Sequence, residues 1–356
     1  MDTIKIDLKD SLELDKKAEY LDLAAGILAK GGVVAFPTET VYGLGADALN
    51  PSAVAKIFTA KGRPQDNPLI IHVADRDLSR YVRNIPEKAK EVMERFWPGP
   101  LTIILEKTDI VPEETSAGLP TVGVRMPSDP VALELIRRLG RPIAAPSANI
   151  SGRPSPTTYR RCVEDLDGKV DMILGGGRSI VGLESTIVDY SVYPPRVLRP
   201  GFVTIEMLNE VDGDIRYEAS FTQAGEDEGP KAPGMKYRHY SPKAPLIIVK
   251  GDKKKVVEKI TSLVQNYIGE GRRVGITGPA ERKDAYPPFP EGMSVFIPLG
   301  DEEGDKGKAR DLFEVLRQFD DLDVDVILSE AVQEQGIGTA VMNRLSKASG
   351  FNIIEV

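Results

Sequence analysis

Apolar and polar side chains alternate from Thr3 to Leu8, the two-residue period of a strand, and from Leu14 the spacing lengthens to that of a helix reaching Lys30. Gly31-Gly32 stops this helix, because glycine adopts the left-handed conformation that closes a helix C-terminus. Short apolar runs follow at Val33 to Phe36, Leu69 to Val73, Leu101 to Leu105, Thr121 to Met126, Pro142 to Ala145 and Thr186 to Tyr190, bounded by turn residues, and these read as buried strands. Helical spacing lies between them at Pro51 to Ala60, Glu87 to Phe96 and Asp129 to Leu139. Residues 1–210 are therefore expected to form an α/β domain with a mixed sheet. From residue 245 the alternation is stricter, with strands at Leu246 to Val249, Arg273 to Thr277, Ser294 to Ile297 and Val324 to Leu328. Helices at Lys253 to Tyr267, Lys306 to Phe319 and Gly338 to Ser349 separate or follow them. This pattern predicts a smaller, doubly wound, Rossmann-like α/β domain of three layers over 245–356. The intervening 211–244 lacks a period and contains the polar run Gly225 to Pro230, as a linker would.

Composition changes this picture only in what it excludes. A chain of 356 residues suits two cores better than one, and 41% hydrophobic with 28% charged residues is ordinary for a folded soluble protein. The apolar stretch from Leu21 to Pro37 is broken by Asp22 and Lys30, so no spanning helix is expected. The single cysteine, Cys162, cannot form an internal disulfide, and the first residues lack the apolar core of a secretory signal, which leads to a cytoplasmic expectation. The net charge of −8 gathers in 211–230, where six acidic side chains stand against one basic. Without a basic excess the chain is not expected to be chiefly a nucleic-acid binder, and a weak local contact with tRNA stays open. Two histidines and one cysteine exclude a Cys/His zinc site. Neither G-x-G-x-x-G after the first strand of the second domain nor G-x-x-x-x-G-K-[ST] occurs, so any ATP must be held by another device.

The candidate chemistry lies in the first domain. In Phe36-Pro-Thr-Glu-Thr40-Val-Tyr-Gly-Leu-Gly45 a buried strand runs into a turn of polar residues, which alone reads equally well as local capping. Lys61-Gly-Arg63-Pro-Gln-Asp-Asn67-Pro sets two cations on a proline-stiffened loop after a helix, suited to a polyphosphate or simply to the helix dipole. His72 sits in an apolar strand, where a hydrogen-bonded core histidine is the commoner outcome. Arg125 ends a strand whose alternation buries it, which demands a carboxylate or phosphate: a structural ion pair or an amino-acid ligand. Ala145-Pro-Ser147-Ala-Asn149-Ile-Ser-Gly has the composition of a phosphate or ribose cradle, and Gly175-Gly-Gly177, Ser185 and Arg199 add polar groups at further strand ends.

Taken together these residues resemble the YrdC-like threonylcarbamoyl-AMP synthases in their long, two-domain form. The resemblance rests on PTETVYGLG, Lys61 and Arg63, the following NPL, His72, APSANISG, ESTIVD and LRPG over residues 15 to 205. Beyond them, Pro233-Gly-Met-Lys-Tyr-Arg-His239-Tyr240 is similar to that form's linker. It implies a twisted mixed-sheet YrdC-like domain plus the Rossmann-like domain. It also implies a reaction in which L-threonine, bicarbonate and ATP, with Mg2+, give threonylcarbamoyl-AMP and pyrophosphate. A nucleotidyltransferase activity of this kind feeds a separate tRNA threonylcarbamoyl transferase complex, which modifies the adenosine beside the anticodon. By position, Lys61, Arg63, Asn67, Thr121, Ser147, Asn149, Ser155, Arg199 and Tyr240 would bind ATP. Lys61, Arg63, Ser147 and Asn149 would be its catalytic groups, and no protein metal ligand is implied. Thr40, His72, Arg125, the Ala145 backbone and Ser185 would hold L-threonine, while the 211–244 linker, with Arg238 and His239, would fold back over the nucleotide. Rival readings are an RNA-binding module without chemistry and a relative that adenylates another carbamate.

Overall fold

The computed structural model describes residues 2–8, 14–218, 239–302 and 304–356. Arg238 and most of the 211–244 linker lie outside the described residues. The chain divides into two compact units, Met1–Ser151 with Ser155–Tyr237, and Gly152–Pro154 with Arg238–Val356.

The first unit runs β1 (Ile4–Asp7), α1 (Leu14–Ala29), β2 (Val34–Phe36), β3 (Gly43–Asp47), α2 (Pro51–Lys61), β4 (Ile70–His72), α3 (Glu87–Phe96), β5 (Leu101–Glu106) and α4 (Glu113–Ser116). It continues through β6 (Thr121–Arg125), α5 (Pro130–Leu139), β7 (Ile143–Ala144), α6 (Tyr159–Leu166), β8 (Met172–Gly175), β9 (Thr186–Asp189), β10 (Arg196–Arg199), α7 (Ile205–Asn209) and β11 (Arg216–Tyr217). The strands share one sheet in the order β1-β8-β2-β3-β7-β4-β6-β5-β9-β10-β11. Its pairing is mixed: β4 runs parallel to β6, and β5 antiparallel to it. Strand alternation sends Val33, Ala35, Ile71, Ile103 and Val124 into one apolar cluster, with Val54 and Ile57 of α2 and Val92 of α3. Val34, Phe36, Ile143 and Leu174 point the other way, against Leu28 of α1 and Leu135 of α5. Both faces are thus buried near the middle of the sheet, which is why its strands read as continuous apolar runs.

Strand β3 has no counterpart among the sequence expectations. Its residues, Gly-Leu-Gly-Ala-Asp, have weak strand propensity, and the cause of the glycines is steric. A Cβ on Gly45 would stand 2.6 Å from Ile143 and 2.7 Å from the Phe36 ring, so only glycine lets β2, β3 and β7 pack together.

The second unit contains β12 (Leu246–Lys250), α8 (Lys253–Gly269), β13 (Val274–Gly278), a 3-10 turn (Ala280–Ala285), β14 (Ser294–Pro298), α9 (Asp305–Asp321), β15 (Val326–Glu330), α10 (Ile337–Ser349) and β16 (Ile353–Glu355). All pairings in the order β14-β13-β15-β12-β16 are parallel. Val256, Ile260 and Val264 of α8 cover one face, packing with Val249, Val274 and Leu328. The connections through α9 and α10 cross the sheet in the opposite direction, so right-handed crossovers put them on the other face. The expected α/β class holds for both units. Among the described residues no helix is long and apolar enough to cross a membrane.

Candidate active site

The two-residue period of the strands builds the centre of the site. Register places His72 of β4 and Thr102 of β5 on either side of Arg125 of β6, and all three share the face opposite Ile71, Ile103 and Val124. Thr102 and Ser185, just before β9, share a hydroxyl–hydroxyl hydrogen bond of 2.8 Å, extending the polar row by one strand. Arg199 of β10 closes it, donating from Nε to the Ser185 carbonyl at 3.0 Å and from Nη2 to Ser185 Oγ at 3.2 Å. Every member of this row is buried.

Above the row sits the loop between β2 and β3. The Thr38 and Thr40 hydroxyls bond each other at 2.8 Å, and the Glu39 backbone carbonyl accepts from Val181 N–H at 2.8 Å. Arg125 meets the carboxylate its burial demands: Nη2 lies 2.7 Å from Glu39 Oε1, with both side chains about 5% exposed or less. The contact is an ion pair whose angles fall outside hydrogen-bond geometry, and neither Glu39 oxygen accepts a hydrogen bond from the described residues. Arg125 Nε donates to the Gly99 carbonyl at 3.3 Å. Burial, and next the Arg125 charge, lower the His72 pKa to about 3, so its imidazole is neutral at physiological pH. Asp129 caps α5 by accepting from the Val131 and Ala132 N–H groups, and burial raises its pKa to about 6.

A second cluster forms where α2 ends. Asn50 caps its start, and Gly62, at φ 61°, terminates it immediately after Lys61. The 147–151 loop wraps this terminus. Lys61 Nζ donates to the Ser147 and Asn149 carbonyls, each at 2.5 Å, while the Lys61 carbonyl accepts from Ser151 N–H at 2.9 Å. Ser147 Oγ donates to Asn149 Oδ1 at 2.5 Å. The sequence left Lys61 either facing a polyphosphate beside a proline-stiffened loop or at a solvated helix end; in the structure its side chain is 2% exposed and donates to the Ser147 and Asn149 carbonyls. Arg63 Nη2 donates to the Asn67 and Pro68 carbonyls at 3.4 and 3.3 Å, folding the proline-stiffened loop on itself. Asn67 is buried, and its Oδ1 has no hydrogen-bond partner among the described residues.

The remaining expected residues divide. Thr121 starts β6 on the same face as Arg125. Ser155 is buried and donates to Glu184 Oε1 at 2.6 Å. The Ala145 N–H is already bonded to the Ile70 carbonyl at 3.0 Å, leaving its carbonyl as the backbone group available to a ligand. Tyr240 belongs to the second unit, where its ring stacks on Phe313 at 5.1 Å, with φ at 65°. Two residues of the site, Glu39 and Thr102, were not singled out by the sequence pattern. A signal for Glu39 existed: a carboxylate held between two threonines in the turn after a buried strand, in a chain with a buried arginine in need of a partner.

Two family models cover almost the whole chain. The one described as telomere recombination (Sua5, YciO and YrdC) matches residues 26–201, and the one described as threonylcarbamoyl-AMP synthase, C-terminal domain, matches residues 203–350. The threonylcarbamoyl-AMP synthase of Pyrococcus abyssi is 48% identical over 99% of this chain and 100% of its own length. This chain belongs to the threonylcarbamoyl-AMP synthase family. Its Bacillus subtilis relative is 45% identical over 98% of both chains. The crystal structure of Pyrococcus abyssi Sua5 complexed with L-threonine superposes with a TM-score of 0.91 at 47% identity, covering 99% of this chain and 100% of that one. The second unit holds a further cavity of about 640 Å³ at the carboxyl ends of β12, β13 and β15. Charged side chains line it, and they pair with one another, as in Lys250–Glu334 at 2.8 Å and Lys308–Asp305 at 3.0 Å.

Proposed function

We propose that the first unit binds L-threonine on the His72–Arg125–Ser185 row and ATP along Lys61, Arg63 and the 147–149 loop, and joins them through bicarbonate into threonylcarbamoyl-AMP. The observation that carries this reading is the pairing, within one unit, of a buried, ligand-ready arginine row with a buried lysine held by a Ser-x-Asn loop, in a chain that matches threonylcarbamoyl-AMP synthases from end to end. Threonine carboxylated at its amine presents a carbamate oxygen to the α-phosphorus, and in-line attack expels pyrophosphate. The transfer of the adenylyl group makes the enzyme a nucleotidyltransferase. Such a displacement needs positioning and charge stabilisation more than a protein nucleophile. Lys61 and Arg63 stabilise charge growing toward pyrophosphate, Ser147 and Asn149 orient the nucleotide, and Asn67, Thr121, Ser155 and Arg199 complete its surroundings. Thr40 and the Ala145 carbonyl fix the threonine end.

Mg2+, which keeps much of its water and binds substrate phosphates readily, would be carried on the phosphates of ATP. The mixed anhydride product would pass to a transferase that moves its threonylcarbamoyl group onto tRNA with AMP as leaving group, and that enzyme is the downstream partner. Tyr240's place in the nucleotide set rests on the resemblance alone, and Tyr240→Ala tests it: weaker ATP retention supports the assignment, and unchanged ATP affinity removes it. Incubation with 13C-bicarbonate, L-threonine and ATP, followed by mass spectrometry, tests the whole reading. A labelled threonylcarbamoyl-AMP is expected. Unlabelled adenylate, or a comparable yield of carbamoyl-AMP when carbamoyl phosphate replaces threonine and bicarbonate, contradicts it.

A further inference from the structure

We propose that Glu39 is the residue that receives the α-ammonium group of the amino-acid substrate, so that the Glu39–Arg125 ion pair is a template for a zwitterion. The proposal rests on the reading above in which Arg125 takes the substrate carboxylate. Glu39 is 4% exposed, its two oxygens accept no hydrogen bond from the described residues, and its cationic neighbour, Arg125 Nη2 at 2.7 Å, approaches outside hydrogen-bond geometry. A buried carboxylate in that condition is costly, because it has lost water without gaining donors. The surrounding groups do not supply them. The Thr38 hydroxyl donates to the Val41 carbonyl at 2.5 Å and shares a bond with the Thr40 hydroxyl. Asp129, whose charge reaches both Glu39 and Arg125, is itself an acceptor, engaged by the first turn of α5. His72, in register with Arg125, carries no charge near neutral pH.

An α-amino acid offers the complement of this pair at one carbon's separation. Its carboxylate can take the Arg125 fork and its ammonium can donate to Glu39, replacing one poorly directed ion pair by two sets of charge-assisted hydrogen bonds. An anion alone would satisfy Arg125 but strand Glu39 beside a second negative charge, and a cation alone would do the reverse. The pair therefore selects molecules that carry both charges.

The test is calorimetric titration of wild type and Glu39→Gln with L-threonine and with 3-hydroxybutyrate, which keeps the carboxylate and hydroxyl but lacks the ammonium. Wild type is expected to prefer threonine. In the variant, threonine affinity should fall about tenfold or more while 3-hydroxybutyrate binds equally or more tightly, so the preference collapses. A parallel fall for both ligands means that Glu39 only positions Arg125, and it overturns the proposal, as does unchanged threonine affinity. If circular dichroism shows Glu39→Gln unfolded, Glu39→Asp, which keeps the charge but withdraws it by one methylene, replaces it in the same pair of titrations. A lowered preference for threonine over 3-hydroxybutyrate then supports the proposal, and an unchanged preference overturns it. Wild type that binds no threonine overturns the pocket's assignment and this proposal with it, and is recognised before any substitution is made.

Discussion

Two polar regions of this chain hold their charged side chains differently. The carboxyl edge of the second sheet gathers Lys250, Lys253, Lys308, Glu302, Asp305 and Glu334 around a cavity, and these charges pair off: Lys250 with Glu334, Lys253 with Glu302, Lys308 with Asp305. Glu330, buried beneath them, accepts from Tyr286 at 2.7 Å, and among the described residues none of the cavity's side chains contains a buried, unpartnered atom. The polar groups of the first unit are more deeply buried, yet Glu39, above the arginine row, and Asn67, beside the Lys61 cluster, keep oxygens that no described residue satisfies with a hydrogen bond. A self-paired charged cavity is stable as it stands. A buried acceptor without a donor is stabilised by any ligand that donates to it.

The contrast between the two regions meets its severest test at Lys61. Lys61→Ala should lower threonine-dependent pyrophosphate release by about 100-fold or more, the scale of a lost charge-stabilising group. It also strands two buried carbonyls, at a cost of about 1–3 kcal/mol, seen as a lower melting temperature. Turnover near wild type would remove Lys61 from the machinery. Arg125→Ala leaves Glu39 buried and alone, and urea unfolding should show a loss of about 3–5 kcal/mol, with part recovered in the Arg125→Ala, Glu39→Ala double variant. If the double variant is no more stable than the single, the pair does not act as a unit.

The pH dependence of stability separates the row from its surroundings more finely. His72 titrates at 6.5 unperturbed and near 3 in the fold, so its contribution is complete above pH 6.5 and lost as pH falls toward 3. Asp129 moves the other way, from 3.8 to about 6: the fold holds its proton more tightly, so its contribution declines as pH rises from about 4 to 6. Urea titrations should show His72→Asn flattening the acid-side loss and Asp129→Asn, which keeps an N-cap, steepening the rise of stability between pH 4 and 6. An imidazole signal of His72 titrating near 6.5 in NMR would contradict the first half. The smallest effect belongs to the second unit's cavity. Lys250→Ala removes a half-exposed pair and should change stability by less than about 0.5 kcal/mol, with pyrophosphate release unaffected.

Much of this was legible in the sequence because burial leaves a periodic trace. The second unit's alternation predicted four of its five strands and its three helices, missing β16, and the alternation in β6 predicted that Arg125 would be buried and in need of a carboxylate or phosphate. What the sequence hid was set by tertiary contact. The glycine strand β3 exists because Phe36 and Ile143 crowd it. Lys61 reads as a helix-end cation until the 147–151 loop, distant in sequence, closes over it. Glu39 reads as a turn residue until the sheet brings β6 beneath its loop.

A crystal structure of this chain soaked with L-threonine goes straight to the arginine row. The amino acid is expected there, in the first unit, with its carboxylate bonded to the Arg125 guanidinium and its ammonium within hydrogen-bond distance of Glu39. Threonine seated elsewhere, or bound with the Glu39–Arg125 pair undisturbed and untouched, would contradict the role given to that pair.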